Sequence, residues 1–136
     1  MNVTYSQESD LDADEAVAVY VASGLGSRRP VDDAPRMRRM LKEANLVVTG
    51  RFQGQLIGVA RSLTDWSYVT YLSDLAVVEE WQRRGVGRAL IEATRREAPS
   101  TKLVLLSAPA ASSYYPALGF SRHESAWWLP AMNDER

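Results

Sequence analysis

The residues Gln82-Arg83-Arg84-Gly85-Val86-Gly87-Arg88 stand between a strand-like run, Tyr71 to Val78, and a helix-like run that ends near Ala98. Strand, glycine-bearing turn and helix together can hold phosphate. The first N–H groups of a helix lack intrahelical partners, and the macrodipole adds positive potential there. Glycines at 85 and 87 let the backbone turn sharply and approach a ligand closely. Three arginines add positive charge around the same turn. A nucleotide-binding P-loop fits less well, because no Lys-Ser/Thr follows the glycines.

Downstream, Pro99 stops the helix, and Val86, Leu90, Ile91 and Thr94 share one of its faces. Leu103-Val104-Leu105-Leu106 is a continuous apolar run, read as a strand buried on both faces. Tyr71 to Leu106 is then a βαβ crossover with parallel, right-handed strands. Ala110 to Leu118 reads as a short helix capped by Gly119, and Ser121 to Leu129 as a last strand.

Upstream, two β-rich runs, Leu46 to Phe52 and Leu56 to Arg61, flank Gln53-Gly54-Gln55, a hairpin signal that makes the sheet mixed. A turn holding Asp65, Trp66 and Ser67 follows. Asp10, Asp12 and Asp14 precede a first helix around Ala16 to Val21, after a short strand at Val3 to Gln7. Asp32 and Asp33 cap a second helix with Pro35 in its first turn. Its apolar face is Met37, Met40, Leu41 and Ala44; Arg36, Arg38, Arg39 and Lys42 form a solvated face. The order is β-α-α-β-β-β-α-β-α-β, without repeat or linker.

The chain has 136 residues, so a single domain over 1–136 is the default. Its 46% hydrophobic and 24% charged residues suit a globular core. A net charge of −1 gives no bulk attraction to nucleic acid or anionic membrane. The arginine cluster therefore suits a small anion. The absence of cysteine excludes disulfides, thiolate metal sites and a cysteine nucleophile. With His123 as the single histidine, no metal site is expected. No apolar run of transmembrane length and no basic-then-apolar N-terminus is present, which reads as a cytoplasmic protein.

Gln82-x-x-Gly85-x-Gly87 after a strand, with Tyr115-x-x-Leu118-Gly119-Phe120 downstream, resembles the GCN5-related N-acetyltransferase (GNAT) superfamily. The element order agrees along nearly the whole chain. The resemblance implies an α/β fold: a mixed, mostly antiparallel sheet whose two central parallel strands splay apart around acetyl-CoA. It implies that backbone groups of Leu75, Ala76 and Val77 hold the pantetheine arm. Arg83, Arg84, Gly85, Val86, Gly87 and Arg88, with Gln82 before them, would hold the pyrophosphate. Tyr115 matches the tyrosine near the thioester sulfur. Where many members of the family have an asparagine this chain has Ala108, so the resemblance implies that this contact is absent or is supplied otherwise, by Ser112 or Ser113. A homodimer is common in the family, and the Trp127-Trp128 strand offers a contact.

Acetyl transfer to an amine needs a deprotonated nucleophile, a polarised carbonyl, a protonated leaving thiolate and two substrates held together. The Val77 N–H is the oxyanion candidate. Tyr115 is the general-acid candidate, since a phenol of pKa about 10 is protonated at neutral pH. Asp74 is a carboxylate in an otherwise apolar strand. It either accepts the amine proton or is a structural carboxylate paired with an arginine such as Arg61. Asp65 and His123 are weaker base candidates. The tryptophans either pack or line an acceptor pocket. The expectation is an acetyl-CoA-dependent N-acetyltransferase acting on a primary amine by direct attack in a ternary complex, with no metal. The alternatives are a silent acyl-CoA-binding sensor and a longer-chain acyltransferase. The first two helices, the Leu63 to Ser67 loop and the last strands would form the acceptor site.

Overall fold

Alternating apolar residues between Leu46 and Val77 build the centre of a five-stranded sheet. Its strands are β1 (Val3–Gln7), β2 (Leu46–Phe52), β3 (Gln55–Thr64), β4 (Val69–Val77) and β5 (Lys102–Val104), in the order β1-β2-β3-β4-β5. The first three pairings are antiparallel, and β4 runs parallel to β5. The computed structural model describes residues 2–108 and 113–133. The chain forms two compact units, Met1–Leu106 and Ser107–Arg136.

In the first unit the expected hairpin closes with Phe52 opposite Gln55. Gln53 and Gly54 both have positive φ, 51° and 82°, as a two-residue hairpin turn twisted to match its strands requires. Helix α1 (Ala13–Ser23) starts where the Asp12 carboxylate accepts the Glu15 N–H; helix α2 (Ala34–Glu43) starts likewise at Asp33, which accepts the Arg36 N–H. Each such cap stabilises its helix by about 1 kcal/mol. Tyr20, Met37 and Leu41 from these helices bury against Val47, Val59 and Ala76 on one face of the sheet. The basic side chains Arg36, Arg38 and Arg39 stay exposed. Helix α3 (Val86–Glu97) buries Val86, Leu90, Ile91 and Thr94. It comes so close to Gly58 that an added Cβ there would sit 2.9 Å from Leu90 Cδ1.

Strand β5 differs from the expected buried run. It spans only Lys102–Val104; Leu103 is half-buried, and Val104 and Leu106 are exposed. A strand buried on both faces needs a layer packed over each, and in β5 Lys102 and Val104 are exposed.

In the second unit helix α4 spans Tyr114–Ala117, and Gly119 turns the chain at φ +96°. The first residues of the expected helix, from Ala110, lie outside the described residues. The expected last strand, Ser121 to Leu129, is not formed: these residues make turns and irregular backbone. Alternation alone does not make a strand, because the ladder hydrogen bonds must come from a partner. Trp127, Trp128 and Leu129 are consequently all strongly exposed, rather than facing opposite sides of a sheet.

Candidate functional site

The site begins where two neighbouring strands part. β5 accompanies β4 only from the Val69–Lys102 pair to the Tyr71–Val104 pair, while β4 continues to Val77. Beyond Tyr71 the β5-side edge of β4 therefore has no strand beside it within this unit. The Val78 N–H donates to the Ile57 carbonyl on β3 at 3.0 Å. Successive residues of a strand send their N–H groups to opposite edges, so Val77 and Leu75 direct theirs to the open edge. The Val77 carbonyl on that edge accepts the Gln82 side-chain amide at 2.8 Å. The same amide donates to Ser23 O at the end of α1 at 3.3 Å. Gln82 thus ties the strand end to α1 through its side chain.

The glycine turn leads from this strand end into α3. Gly85 is the residue before the helix, with φ +85° and ψ 4°, and no side chain caps the helix. An added Cβ on Gly85 would meet no heavy atom within 4 Å, so the turn's surface is open. Arg83 also has positive φ, 63°. Two turn residues of this kind in the sequence Arg83-Arg84-Gly85 lead into α3, whose first N–H groups have no partner within the helix. Gly87 and Arg88 lie in the first helical turn, and the Val86 side chain is buried in the core. Arg83, Arg84 and Arg88 are exposed. Arg84 lies over Trp81, 5.2 Å from the ring centroid, and Trp81 in turn packs on Phe52. A groove of about 460 Å³ beside the turn is lined by Asn2, Val3, Tyr5, Trp81, Arg84 and Val86. The turn therefore presents backbone donors, positive charge and an open surface together.

Asp74 sits at a β-bulge of β4, where Ser73 and Asp74 stand opposite Arg61. Its carboxylate is buried, and both oxygens are occupied. Oδ1 accepts Arg29 Nε at 2.6 Å; Oδ2 accepts Arg61 Nε at 2.5 Å and the Tyr20 hydroxyl at 2.7 Å. Burial alone would raise the Asp74 pKa, but hydrogen bonding and charge attraction from Arg61, then Arg29, hold it below the usual carboxylate range. Burial, and next the Asp74 charge, push the Tyr20 phenol well above its ordinary value. Removing one partner from a buried charged pair costs about 3–5 kcal/mol. Of the partners, Arg61 is legible in the sequence as a candidate. Tyr20 and Arg29 are not, because they lie 54 and 45 positions away along the chain.

Asp65, Tyr115 and His123 each make contacts close by in the sequence. Asp65 is exposed and caps its own turn, with Oδ1 accepting the N–H groups of Ser67, Tyr68 and Val69. These bonds, led by that of Tyr68, lower its pKa. In the second unit Tyr115 packs edge-on against Tyr114 and Phe120, at centroid distances of 5.1 and 5.5 Å. The Phe120 N–H returns to the Tyr115 carbonyl, closing the turn through Gly119. His123 accepts the Ser125 N–H in an exposed turn, not on a strand. Ser112 lies outside the described residues. Among the described residues no group of three or more His, Asp or Glu is placed to hold a metal, and no helix is long and apolar enough to cross a membrane.

Comparison with known proteins places this geometry. A family model described as an acetyltransferase (GNAT) domain matches residues 16–127. No curated protein matches the chain. Among solved structures, a GNAT-family protein from Streptococcus pneumoniae TIGR4 superposes with a TM-score of 0.77 at 15% identity, covering 95% of this chain and 98% of that one. An aminoglycoside acetyltransferase from an uncultured soil metagenomic sample, in complex with sisomicin, gives 0.73 at 16% identity and covers 97% of both chains. An aminoglycoside N-acetyltransferase in complex with CoA gives 0.74 at 18% identity, covering 96% of this chain and 95% of that one. At these identities the likeness is one of fold: a mixed five-stranded α/β sheet with a parallel β4–β5 pair.

Proposed function

Because the chain belongs to the GNAT acetyltransferase family, we propose that it transfers an acetyl group from acetyl-CoA to a primary amine by direct attack in a ternary complex. The observation that carries this reading is the end of β4 together with the glycine turn that follows it. The edge of β4 at Leu75 to Val77, which no strand of its unit accompanies, leads through the glycine turn to an α3 N-terminus that no side chain caps. In this reading β4 receives the pantetheine arm as a strand would, and the N–H groups from Gly85 to Arg88 receive the pyrophosphate. Arg83, Arg84 and Arg88 add charge, and Gln82 holds the strand end in place. The solved CoA complex of an aminoglycoside N-acetyltransferase with the same fold supports this choice of donor.

The chemistry needs no covalent enzyme intermediate. The neutral amine attacks the thioester carbon; a C–N bond forms as the C–S bond breaks. The Val77 N–H stabilises the carbonyl oxygen as charge develops on it. The Tyr115 hydroxyl donates a proton to the departing thiolate, and the amine proton leaves to water. The acceptor lies on the side of α1, α2 and the 63–67 loop. We treat 1–136 as one domain, supported by a family model that runs across both compact units. A homodimer through the exposed Trp127-Trp128-Leu129 segment belongs to the same reading.

The test is CoA release from acetyl-CoA over a panel of primary amines. Turnover with at least one amine, reduced on the order of a hundredfold in Tyr115→Phe with acetyl-CoA affinity retained, is expected. Tight acetyl-CoA binding without release for any amine would make the protein a silent acyl-CoA-binding module. Faster turnover with longer acyl-CoA donors would make it a longer-chain acyltransferase.

A further inference from the structure

The buried cluster around Asp74 joins more elements than a single salt bridge requires. Tyr20 comes from the last half of α1. Arg29 follows the 3-10 turn Leu25–Arg28 between α1 and α2. Arg61 comes from β3, and its Nη1 donates to the Met40 carbonyl of α2 at 3.2 Å. All of them meet at the Ser73–Asp74 bulge of β4. Arg29 Nη2 donates to the Ser73 carbonyl at 2.7 Å, and Arg61 Nη2 donates to the Ser73 hydroxyl at 2.9 Å. The bulge is thus gripped through backbone, hydroxyl and carboxylate at once. It immediately precedes Leu75 and Val77, whose N–H groups face the open edge.

These contacts account for every oxygen lone pair that a proton acceptor at Asp74 would need. Oδ2 already takes a guanidinium and a phenol; Oδ1 takes a second guanidinium and the Ser73 hydroxyl at 3.2 Å. The carboxylate side chain is fully buried. A carboxylate between two guanidiniums is a poor base, because protonating it leaves both cations without a counter-charge. We propose instead that Asp74 is a positioning residue, which with Tyr20, Arg29 and Arg61 clasps the acceptor-side wall of α1, the 25–29 turn and α2 onto the β4 bulge. It acts through the placement of that wall, and touches neither substrate. The inference rests on the acetyltransferase reading given above.

The roles of base and clasp separate in kinetics. Removing a base abolishes the rate limb that the base controls and leaves substrate binding intact. Loosening a clasp misplaces the acceptor, and a misplacement of about 1 Å costs up to about a hundredfold. The experiment measures acetyl-CoA Kd by calorimetry, together with kcat and the acceptor KM across pH, for the wild type and for Tyr20→Phe, Arg29→Gln and Asp74→Asn. Arg29→Gln and Tyr20→Phe each remove contacts to Asp74 without emptying the core, so they stay informative if Asp74→Asn does not fold.

All variants that fold are expected to raise the acceptor KM about tenfold, to keep the acetyl-CoA Kd within about threefold, and to keep the pH midpoint of kcat/KM. The inference is overturned if Asp74→Asn removes the pH limb while Arg29→Gln and Tyr20→Phe leave the acceptor KM unchanged. It is equally overturned if, in every variant that folds, the acceptor KM stays unchanged or rises together with the acetyl-CoA Kd. If the wild type binds no acetyl-CoA, the acetyltransferase reading itself fails, which is a separate outcome.

Discussion

One added methyl group at Gly85 separates folding from binding. Gly85 has φ +85° and ψ 4°, in the left-handed region, and a Cβ built there meets no heavy atom within 4 Å. Gly85→Ala therefore creates no clash. Its effect on stability is conformational alone, about 1–2 kcal/mol for an L-residue in that region. For a domain of this size that lowers Tm by roughly 2–8 °C. The new Cβ would nonetheless stand on the open face of the turn, where the N–H groups of α3 must come within hydrogen-bond distance of a pyrophosphate. A displaced phosphate loses charge-assisted hydrogen bonds of about 1.5–3 kcal/mol, so acetyl-CoA affinity should fall roughly tenfold to a hundredfold. Gly54 is the matched control: φ is +82°, and its added Cβ also meets nothing within 4 Å. Thermal melts and calorimetric titration with acetyl-CoA on both alanine variants give the comparison. Equal losses of Tm are expected, with weaker acetyl-CoA binding for Gly85→Ala alone. Wild-type affinity in Gly85→Ala, or equal weakening in Gly54→Ala, would refute the reasoning.

Three further outcomes follow from other parts of the fold. Arg51 bonds Glu8 and Glu15 at 2.8 Å each, joining β2 to the Glu8 segment and to α1, and these hydrogen bonds hold both carboxyls below their ordinary range. A depressed folded pKa stabilises above the unfolded value of about 4.3 and loses that contribution as pH falls through the folded one. Arg51→Met should therefore start from a lower Tm near pH 7 and lose less Tm than the wild type on acidification to about pH 3, as read by melts in a pH series. Gly58→Val should be destabilised by about 1–3 kcal/mol in urea titration, because its side chain would push Leu90 and Val86 of α3 away from the sheet. Replacing both Trp127 and Trp128 with serine should shift a dimer to monomer in light scattering while leaving Tm nearly unchanged, since both rings are exposed.

Local chemistry was legible along the chain, and long-range partnership was not. The caps at Asp12 and Asp33, the Gln53-Gly54 hairpin and the buried face of α3 follow from side chains acting on their own backbone or at helical spacing. The Asp33 cap, the hairpin and the α3 face formed as expected, and Asp12 proved to be the capping member of the acidic run before α1. The glycine turn was legible for the same reason: Gly85 supplies a conformation that the strand-to-helix connection demands. The segment from Ser121 to Leu129 has strand-like residues but no paired strand, and a strand cannot be read without its neighbour. Residues 103–106 show the same limit, since apolar content alone does not place an element between two layers. Asp74 stood out as a carboxylate in an apolar strand, with Arg61 as a nearby candidate. Tyr20 sat inside an ordinary helical apolar face and Arg29 inside a loop, so nothing local marked either as its partner. The proposed acceptor site is less legible still, because the segments proposed to form it are distant in sequence.

A crystal structure with acetyl-CoA bound tests the central claim most directly. The account predicts the pantetheine arm along the open edge of β4 at Leu75 to Val77, the acetyl oxygen at the Val77 N–H, and the pyrophosphate on the N–H groups from Gly85 to Arg88. Acetyl-CoA seated away from β4 and the glycine turn, or no binding at millimolar ligand, would contradict it.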